Sequence, residues 1–377
     1  LHETLVLGFE ANRSFFPLKF EVHAAPEVSV VVPVHGKYPV TFHCLVALLF
    51  AGGTVPFEVI VVDDGSPDET AAELARHEGL TVIANETARG FVHACNAGAA
   101  AARGRFVVFL NNDTEVTAGW LEEMVGTFSI FPEAGLVGAR LVYPDGRLQE
   151  AGGIVWSSGN PWNYGRGGNP HDPRYAYARR ADYLSGAALM VRRDVWERVG
   201  GFSRELAPAY FEDTDLCFKV RAEGYATVYQ PLAEVFHFEG VSNGTDAAAA
   251  TGLKRFQEIN RPKFKRRWSQ DFLSLGEEGH APDRAKDRGI LGRVLFVDWQ
   301  LPRPDMDAGS FAAVQEMRLV KALGLKVTFL PLNLAYLGKY AHDLQRIGVE
   351  VLYAPFVFSF EDFMRQRGAE FDAFYLT

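Results

Sequence analysis

Four polar clusters hold most of the chemistry this 377-residue chain could perform. Asp63-Asp64-Gly65-Ser66 follows the apolar run 57–62, and Asn111-Asn112-Asp113-Thr114 follows the apolar run 106–110. Glu212-Asp213-Thr214-Asp215 opens a helical pattern, and His237 lies between Phe236 and Phe238. One carboxylate and one imidazole suit a Mn²⁺ or Mg²⁺ site that leaves positions open for phosphate oxygens and water. A separate carboxylate nearby suits a general base. Arg89-Gly90 and Asn96, at the start of a helical stretch, offer backbone and side-chain donors to a diphosphate. Taken singly, each cluster has a plainer reading. Asp64 would brace a turn, Asn112 and Asp113 would supply turn chemistry with Thr117 as a helix cap, Asp213 would complement a helix dipole, and His237 would be a satisfied core residue. Their conjunction at one end of one sheet favours the chemistry.

The elements that must position these groups follow from periodicity. The largely apolar runs 28–32, 57–62 and 106–110 read as strands covered on both faces of a parallel sheet. Helical stretches at 40–50, 66–77 and 91–103 alternate with them, and 81–84 adds a strand, so the expected fold is a doubly wound α/β sheet. Ligands collect at the carboxyl ends of such strands, where Asp64 and Asp113 fall. Ser66, with Pro67 next and Glu69 three residues on, has the form of a capping box. After a helix at 118–128 the alternation gives way to short strands and a long loop, 157–181, that is either disordered or a functional lid. A strand at 188–191, a helix opening at 212 and closed by Gly224, and two strands at 225–229 and 235–238 complete this part.

The stretch from Ala247 reads as helical and then as a highly charged linker, and a second α/β pattern starts at Arg293. The expected organisation is an N-terminal arm 1–27, a main domain 28–275, a charged linker 276–290 and a partial second nucleotide-type domain 291–377. A net charge of -9 argues against a partner bound by neutralising phosphates, so no nucleic acid is expected. Cys44, Cys95 and Cys217 stand isolated in apolar contexts, as in a reduced cytoplasmic protein. The chain opens with Leu1 and stops in a strand-like Phe374-Tyr375-Leu376, which suggests a piece of a longer protein.

Five motifs in order carry a resemblance. Val28 to Gly36, Val62 to Ser66, Gly90-Phe91 with Asn96-Ala97-Gly98, Phe109 to Thr114 and Phe211 to Leu216 resemble the signature of family 2 glycosyltransferases with the GT-A fold. The rhamnosyltransferase-like members that build bacterial cell-surface polysaccharides are the most similar group, and Gln149 to Gly153, Asn260-Arg261, Phe264 and Trp268 fit it too. The resemblance implies a Rossmann-like mixed sheet, a nucleotide-diphosphate-sugar donor and an inverting, single-displacement transfer to a hydroxyl of a glycan or lipid-linked acceptor. By position, Asp64 would bind the nucleotide base, with Pro33, Val34 and His35 lining that pocket and Asn112 beside the donor. Asp113 and His237 would be metal ligands, with Asn111 standing where the family's metal motif has its first Asp. Asp213 would be the base. Trp162, Tyr164 and Glu212 are the residues expected to meet the acceptor. A lipid-linked acceptor would bring the protein to the inner face of the plasma membrane. From about Arg293 the chain resembles the first half of a family 4 glycosyltransferase of GT-B fold, so two fused transferases are expected in the longer protein. Two other readings stay open: a sugar nucleotidyltransferase, disfavoured by the short, glycine-poor loop after the first strand, and a nucleotide-sugar-binding scaffold without catalysis.

Overall fold

The computed structural model describes residues 15–239 and 253–376. The arm before residue 15 and the helical start read from Ala247 lie outside the described residues. Strands β1 (Val28–Val34), β2 (Phe57–Asp63), β3 (Thr81–Ala84) and β4 (Phe106–Leu110) run parallel in the order β3-β2-β1-β4. Helices α1 (Tyr38–Phe50), α2 (Thr70–Leu74) and α3 (Phe91–Ala101) connect them. Every residue of β4 is buried, and each such aliphatic or aromatic side chain contributes about 1.5–3 kcal/mol relative to exposure. That explains why the run carries no charge.

Next come β5 (Thr114–Val116), α4 (Trp120–Ile130), β6 (Ala134–Val142), β7 (Leu148–Glu150), the hairpin β8 (Gly153–Val155) with β9 (Pro161–Asn163), and β10 (Arg179–Arg180). β11 (Ala188–Arg192), α5 (Arg193–Val199), α6 (Glu212–Ala222), β12 (Ala226–His237) and α7 (Phe256–Arg267) follow. β11 runs antiparallel between β4 and β6, which turns the parallel half into a mixed sheet of order β10-β12-β6-β11-β4-β1-β2-β3. Residues 15–20 pack with α1 and α4 on one face, and α3, α5, α6 and Phe264 of α7 pack on the other.

Three local expectations need correction. Ser66 does not cap a helix: its hydroxyl accepts the Gly36 N–H across the sheet, and α2 starts only at Thr70, whose N–H and hydroxyl go to Asp68. Thr117 donates its hydroxyl to the Glu234 carbonyl instead of capping α4. The two strands read at 225–229 and 235–238 are one strand, β12, whose register with β6 shifts between Gln230 and Glu234.

The second unit contains α8 (Pro282–Ala285), β13 (Gly292–Asp298), α9 (Ala308–Ala322), β14 (Leu325–Pro331), α10 (Gly338–Arg346), β15 (Glu350–Val351), α11 (Phe360–Arg367) and β16 (Ala373–Leu376). Its four strands are parallel in the order β15-β14-β13-β16. The segment read as a solvated linker is in fact partly core. Lys286 and Asp287 are buried, and Asp287 bonds Tyr177 of the first unit and Lys326 of the second.

Candidate active site

Three turns at the carboxyl ends of parallel strands build the donor side. His35, after β1, places Nδ1 2.9 Å from the Asp64 carbonyl. Asp64, after β2, is buried and accepts from Asn85 Nδ2 (2.8 Å), from the Arg89 N–H (3.0 and 2.9 Å) and from the Gly90 N–H (2.6 Å). Gly90 has φ +90, and a Cβ there would fall 2.2 Å from Pro208, so glycine is required where α3 meets the 208 turn. A cavity of about 310 Å³ opens between these turns, lined by Pro33, Val34, His35, Asp64, Arg89, Gly90, Asn111, Asn112 and Asp113 among others. Eight of the expected donor-side and metal-side residues thus meet there, together with Asp113 itself.

The metal side centres on β4 and β12. His237 Nε2 lies 3.3 Å from Asp113 Oδ1 and 3.4 Å from Asn111 Nδ2. Its other nitrogen, Nδ1, lies 2.9 Å from Gln149 Oε1. Gln149 is oriented by its own amide, which donates to Glu239 Oε2 at 3.2 Å, so its oxygen faces the ring and Nδ1 must be the donor. Nε2 is then the nitrogen that faces the carboxylate oxygen, and its lone pair is the one a cation would take. Two electron-rich atoms so placed suit a shared cation, and neighbouring ligands on an octahedral ion with bonds of about 2.1 Å stand ~3 Å apart. Tyr143 and Arg166 also converge on Glu239. Burial alone would raise Glu239, but the Tyr143 hydroxyl, Arg166 and Gln149 outweigh it and hold this carboxylate below its usual range. Among the described residues no group of three or more His, Cys, Asp and Glu is arranged around an ion. Asp113, His237 and the Asn111 amide therefore fit a site whose remaining ligands come from diphosphate and water.

The base side is α6. Tyr210 and Phe211 precede it in the left-handed region, with φ 75 and 70, a strained conformation for side chains of this size. The turn is held by Asn260 of α7, fully buried, whose Nδ2 donates to the carbonyls of Leu206, Ala209 and Tyr210. Asp213 accepts the Gly186 N–H at 3.0 Å and the Thr214 N–H at 2.6 Å. Burial raises its carboxyl above the ordinary value, partly offset by these donors. Glu212 beside it is raised much further, by burial and then by the charge of Asp213.

Several expected residues lie away from the donor cavity. Asn96 faces away from the cavity, its amide closed on both backbone groups of Phe202. The N–H groups of Arg89 and Gly90 are taken by Asp64, and that of Val92 by Pro208, so only the exposed Arg89 side chain is left to meet a phosphate. Tyr164 is 5% exposed and donates to Asp283, while Trp162 donates to Glu278 and packs on Gly279. Both rings belong to the packing of the 276–285 segment, and neither lines the cavity. Glu212 is buried at the start of α6 and does not line the donor cavity. Glu239 and Asn85 were not singled out by sequence reasoning. A lone carboxylate after a strand and an Asn in a loop carry no local signal.

A mixed α/β sheet with a carboxylate–imidazole pair and a separate half-buried carboxylate at its ligand edge is an arrangement suited to handling a nucleotide. Residues 29–199 match the family described as "Glycosyl transferase family 2". That stretch, from β1 to α5, is thus similar to a family 2 glycosyltransferase domain. Among curated relatives, the uncharacterized protein y4gI of Sinorhizobium fredii is 33% identical over 288 residues, 73% of this chain and 30% of its own length. The O-antigen biosynthesis protein RfbC of Myxococcus xanthus is 31% identical over 244 residues, 62% of this chain and 19% of its own. The N-acetylglucosaminyl-diphospho-decaprenol L-rhamnosyltransferase of Mycobacterium tuberculosis is 28% identical over 221 residues, 52% of this chain and 70% of its own. The chain thus spans less than a third of the first two.

Proposed function

We propose that residues 28–275 are an inverting, metal-dependent glycosyltransferase of GT-A fold. It would move a sugar from a nucleotide-diphosphate sugar to a hydroxyl of a glycan or lipid-linked acceptor, in bacterial surface-polysaccharide synthesis of the O-antigen or capsule type. The observation that carries this reading is the pairing of His237 with Asp113 beside the cavity of a matched family 2 domain. The names of RfbC and of the decaprenol-linked rhamnosyltransferase support the pathway and the lipid-linked acceptor.

Asp113, His237 and Asn111 would hold Mn²⁺ or Mg²⁺, which when bound supplies Lewis-acid stabilisation to the departing diphosphate. The turns after β1 and β2 hold the nucleotide, with Arg89 free to reach its phosphates. Asp213 takes the acceptor hydroxyl proton as that oxygen attacks the anomeric carbon. The rigid sheet edge keeps donor and acceptor in line.

The second unit, residues 291–377, is proposed as part of a GT-B-like domain, supported by its four parallel strands in the order β15-β14-β13-β16. Among the described residues no helix is long and apolar enough to cross a membrane. Contact with a lipid-linked acceptor would then be peripheral, at the cytoplasmic face.

UDP-, dTDP- and GDP-linked sugars, tested for Mn²⁺-dependent binding and slow hydrolysis, decide the reading. One donor is expected to bind only with metal present and to lose that binding in Asp113→Ala. Metal-independent binding with no hydrolysis of any donor would leave a nucleotide-sugar scaffold.

A further inference from the structure

Glu150 is the buried group that the chemistry above leaves unassigned. It ends β7, is 1% exposed and does not line the donor cavity. Its Oε1 accepts the Ser185 N–H at 3.1 Å, and its Oε2 is buried with no hydrogen-bond partner among the described residues. The next N–H, of Gly186, donates to Asp213 at 3.0 Å, and the following carbonyl, of Ala187, accepts the Asn111 N–H at 3.0 Å. Three consecutive residues therefore tie Glu150, Asp213 and the metal-side turn into one unit.

Glu150 itself is held firmly. Gln149 before it is fixed by His237 and Glu239, and Ala151 after it donates to the Tyr164 carbonyl. Gly153 lies so close to Tyr183 that a Cβ would come within 1.8 Å of the ring, which pins the strand end against the chain leading into the 185–187 turn.

We propose that Glu150 is a positioning residue for Asp213: it clamps the 185–187 turn, and that turn aims the Asp213 carboxylate. The inference rests on the assignment of Asp213 as the base.

The clamp acts as the neutral acid. Asp213 opposes ionisation of Glu150, Arg179 and Arg166 favour it, and Tyr183, Tyr229 and Cys217 complete its titratable surroundings. Arg179 spends its guanidinium on the carbonyls of Ala151, Arg180 and Lys286, and Arg166 pairs with Glu239, so neither cation is bonded to Glu150. Burial, and then the charge of Asp213, push Glu150 up to about 8. Below that pH a neutral carboxyl holds the turn; above it, a second buried negative charge appears beside the base. The two groups titrate as a coupled pair.

The test is a ¹³C-carboxyl NMR titration of the 377-residue chain, with Asp213→Asn used to assign its resonance. In the wild type the Asp213 signal should show its own step and a second inflection near pH 8. Glu150→Gln, which keeps an acceptor for Ser185, should remove the second inflection and leave the first in place. Glu150→Ala should raise the first step, because the released turn withdraws the Gly186 N–H from the ionised Asp213. With the donor identified above, kcat of Glu150→Gln should stay near wild type between pH 6 and 7.5, and kcat of Glu150→Ala should fall by up to about 10²-fold at similar donor KM. An Asp213 titration identical in all three proteins overturns the proposal, as does wild-type kcat in a folded Glu150→Ala. If no donor is turned over, the assignment of the base fails while the titration still decides whether Glu150 governs Asp213.

Discussion

At the scale of single residues, the site separates carboxylates by environment. Asp113 sits against an imidazole, and Asp213 is half-buried against two N–H donors that favour its charge. Asp213 accepts a proton only when ionised, and burial raises its pKa above the ordinary ~3.9 of an aspartate. Activity should therefore be full above that raised value and be lost as pH falls through it, with the acid limb of kcat displaced upward from the range of an exposed carboxylate. Asp213→Asn should bind donor normally and lose about 10²–10⁴-fold in kcat; turnover within a few-fold of wild type would remove Asp213 from the role of base. Much of this was legible in the sequence, because Asp64, Asp113 and Asp213 each follow an apolar run or open a helix. Asn96 was misread for a physical reason. Its amide is closed on the backbone of Phe202, a partner 106 positions away that no local pattern announces.

At the scale of elements, the buried runs were legible because β1, β2 and β4 are covered on both faces and are almost wholly apolar, the one mid-strand charge, Glu58 of β2, being paired with Ser29 and Arg103. β12 was not, since Pro231 and the register shift between Gln230 and Glu234 break its pattern into two apparent strands. Yet that strand carries His237 to the end of β5, where it pairs with Thr114 one residue from Asp113. The turn before α6 depends equally on a distant element. Two left-handed residues cost of order 1–3 kcal/mol each and persist only where the surroundings fix them, and here Asn260 gives one amide to three carbonyls of that turn. Asn260→Ala should lower stability by about 1–3 kcal/mol, the cost of leaving buried acceptors unpaired. The strain would relax with it, so kcat should fall although Asn260 does not line the donor cavity. Urea denaturation beside donor turnover checks both, and a destabilised variant with unchanged kcat would show that the turn need not be held for catalysis.

At the scale of the whole molecule, the charged stretch after residue 276 is what joins the two units, which a composition-based reading inverts. Runs of charge are ordinarily solvated, but here the buried ions of the joining segment are paired, and Asp287 meets Tyr177 of the first unit and Lys326 of the second. Asp287 Oδ2 lies 2.9 Å from Lys286 Nζ, 3.0 Å from Lys326 Nζ and 3.5 Å from Arg293, and its Oδ1 accepts from Tyr177. Lys326 also meets Glu350, which Arg367 grips from α11. Burial alone would raise Asp287, but Lys286, Lys326 and Arg179 outweigh it and hold it well below the usual aspartate range. A carboxylate so lowered contributes stability that is fully present above its unfolded value of about 3.9 and is lost as pH falls toward its folded one. The joint should thus hold through neutral pH and weaken in acid below about pH 4. Asp287→Asn removes the carboxylate that Lys286, Lys326 and Arg293 share, and breaking such a buried pair costs about 3–5 kcal/mol. Arg346 of α10 still pairs with Glu123 of α4, at 2.6 and 2.8 Å, so the units should stay tethered while the 276–290 segment loosens. Limited proteolysis is expected to cut Asp287→Asn within 276–290 at neutral pH and the wild type only near pH 4. Because none of the residues of this joint lines the donor cavity, Mn²⁺-dependent donor binding should survive the substitution. Loss of that binding together with the cut would mean that the second unit supports the catalytic one.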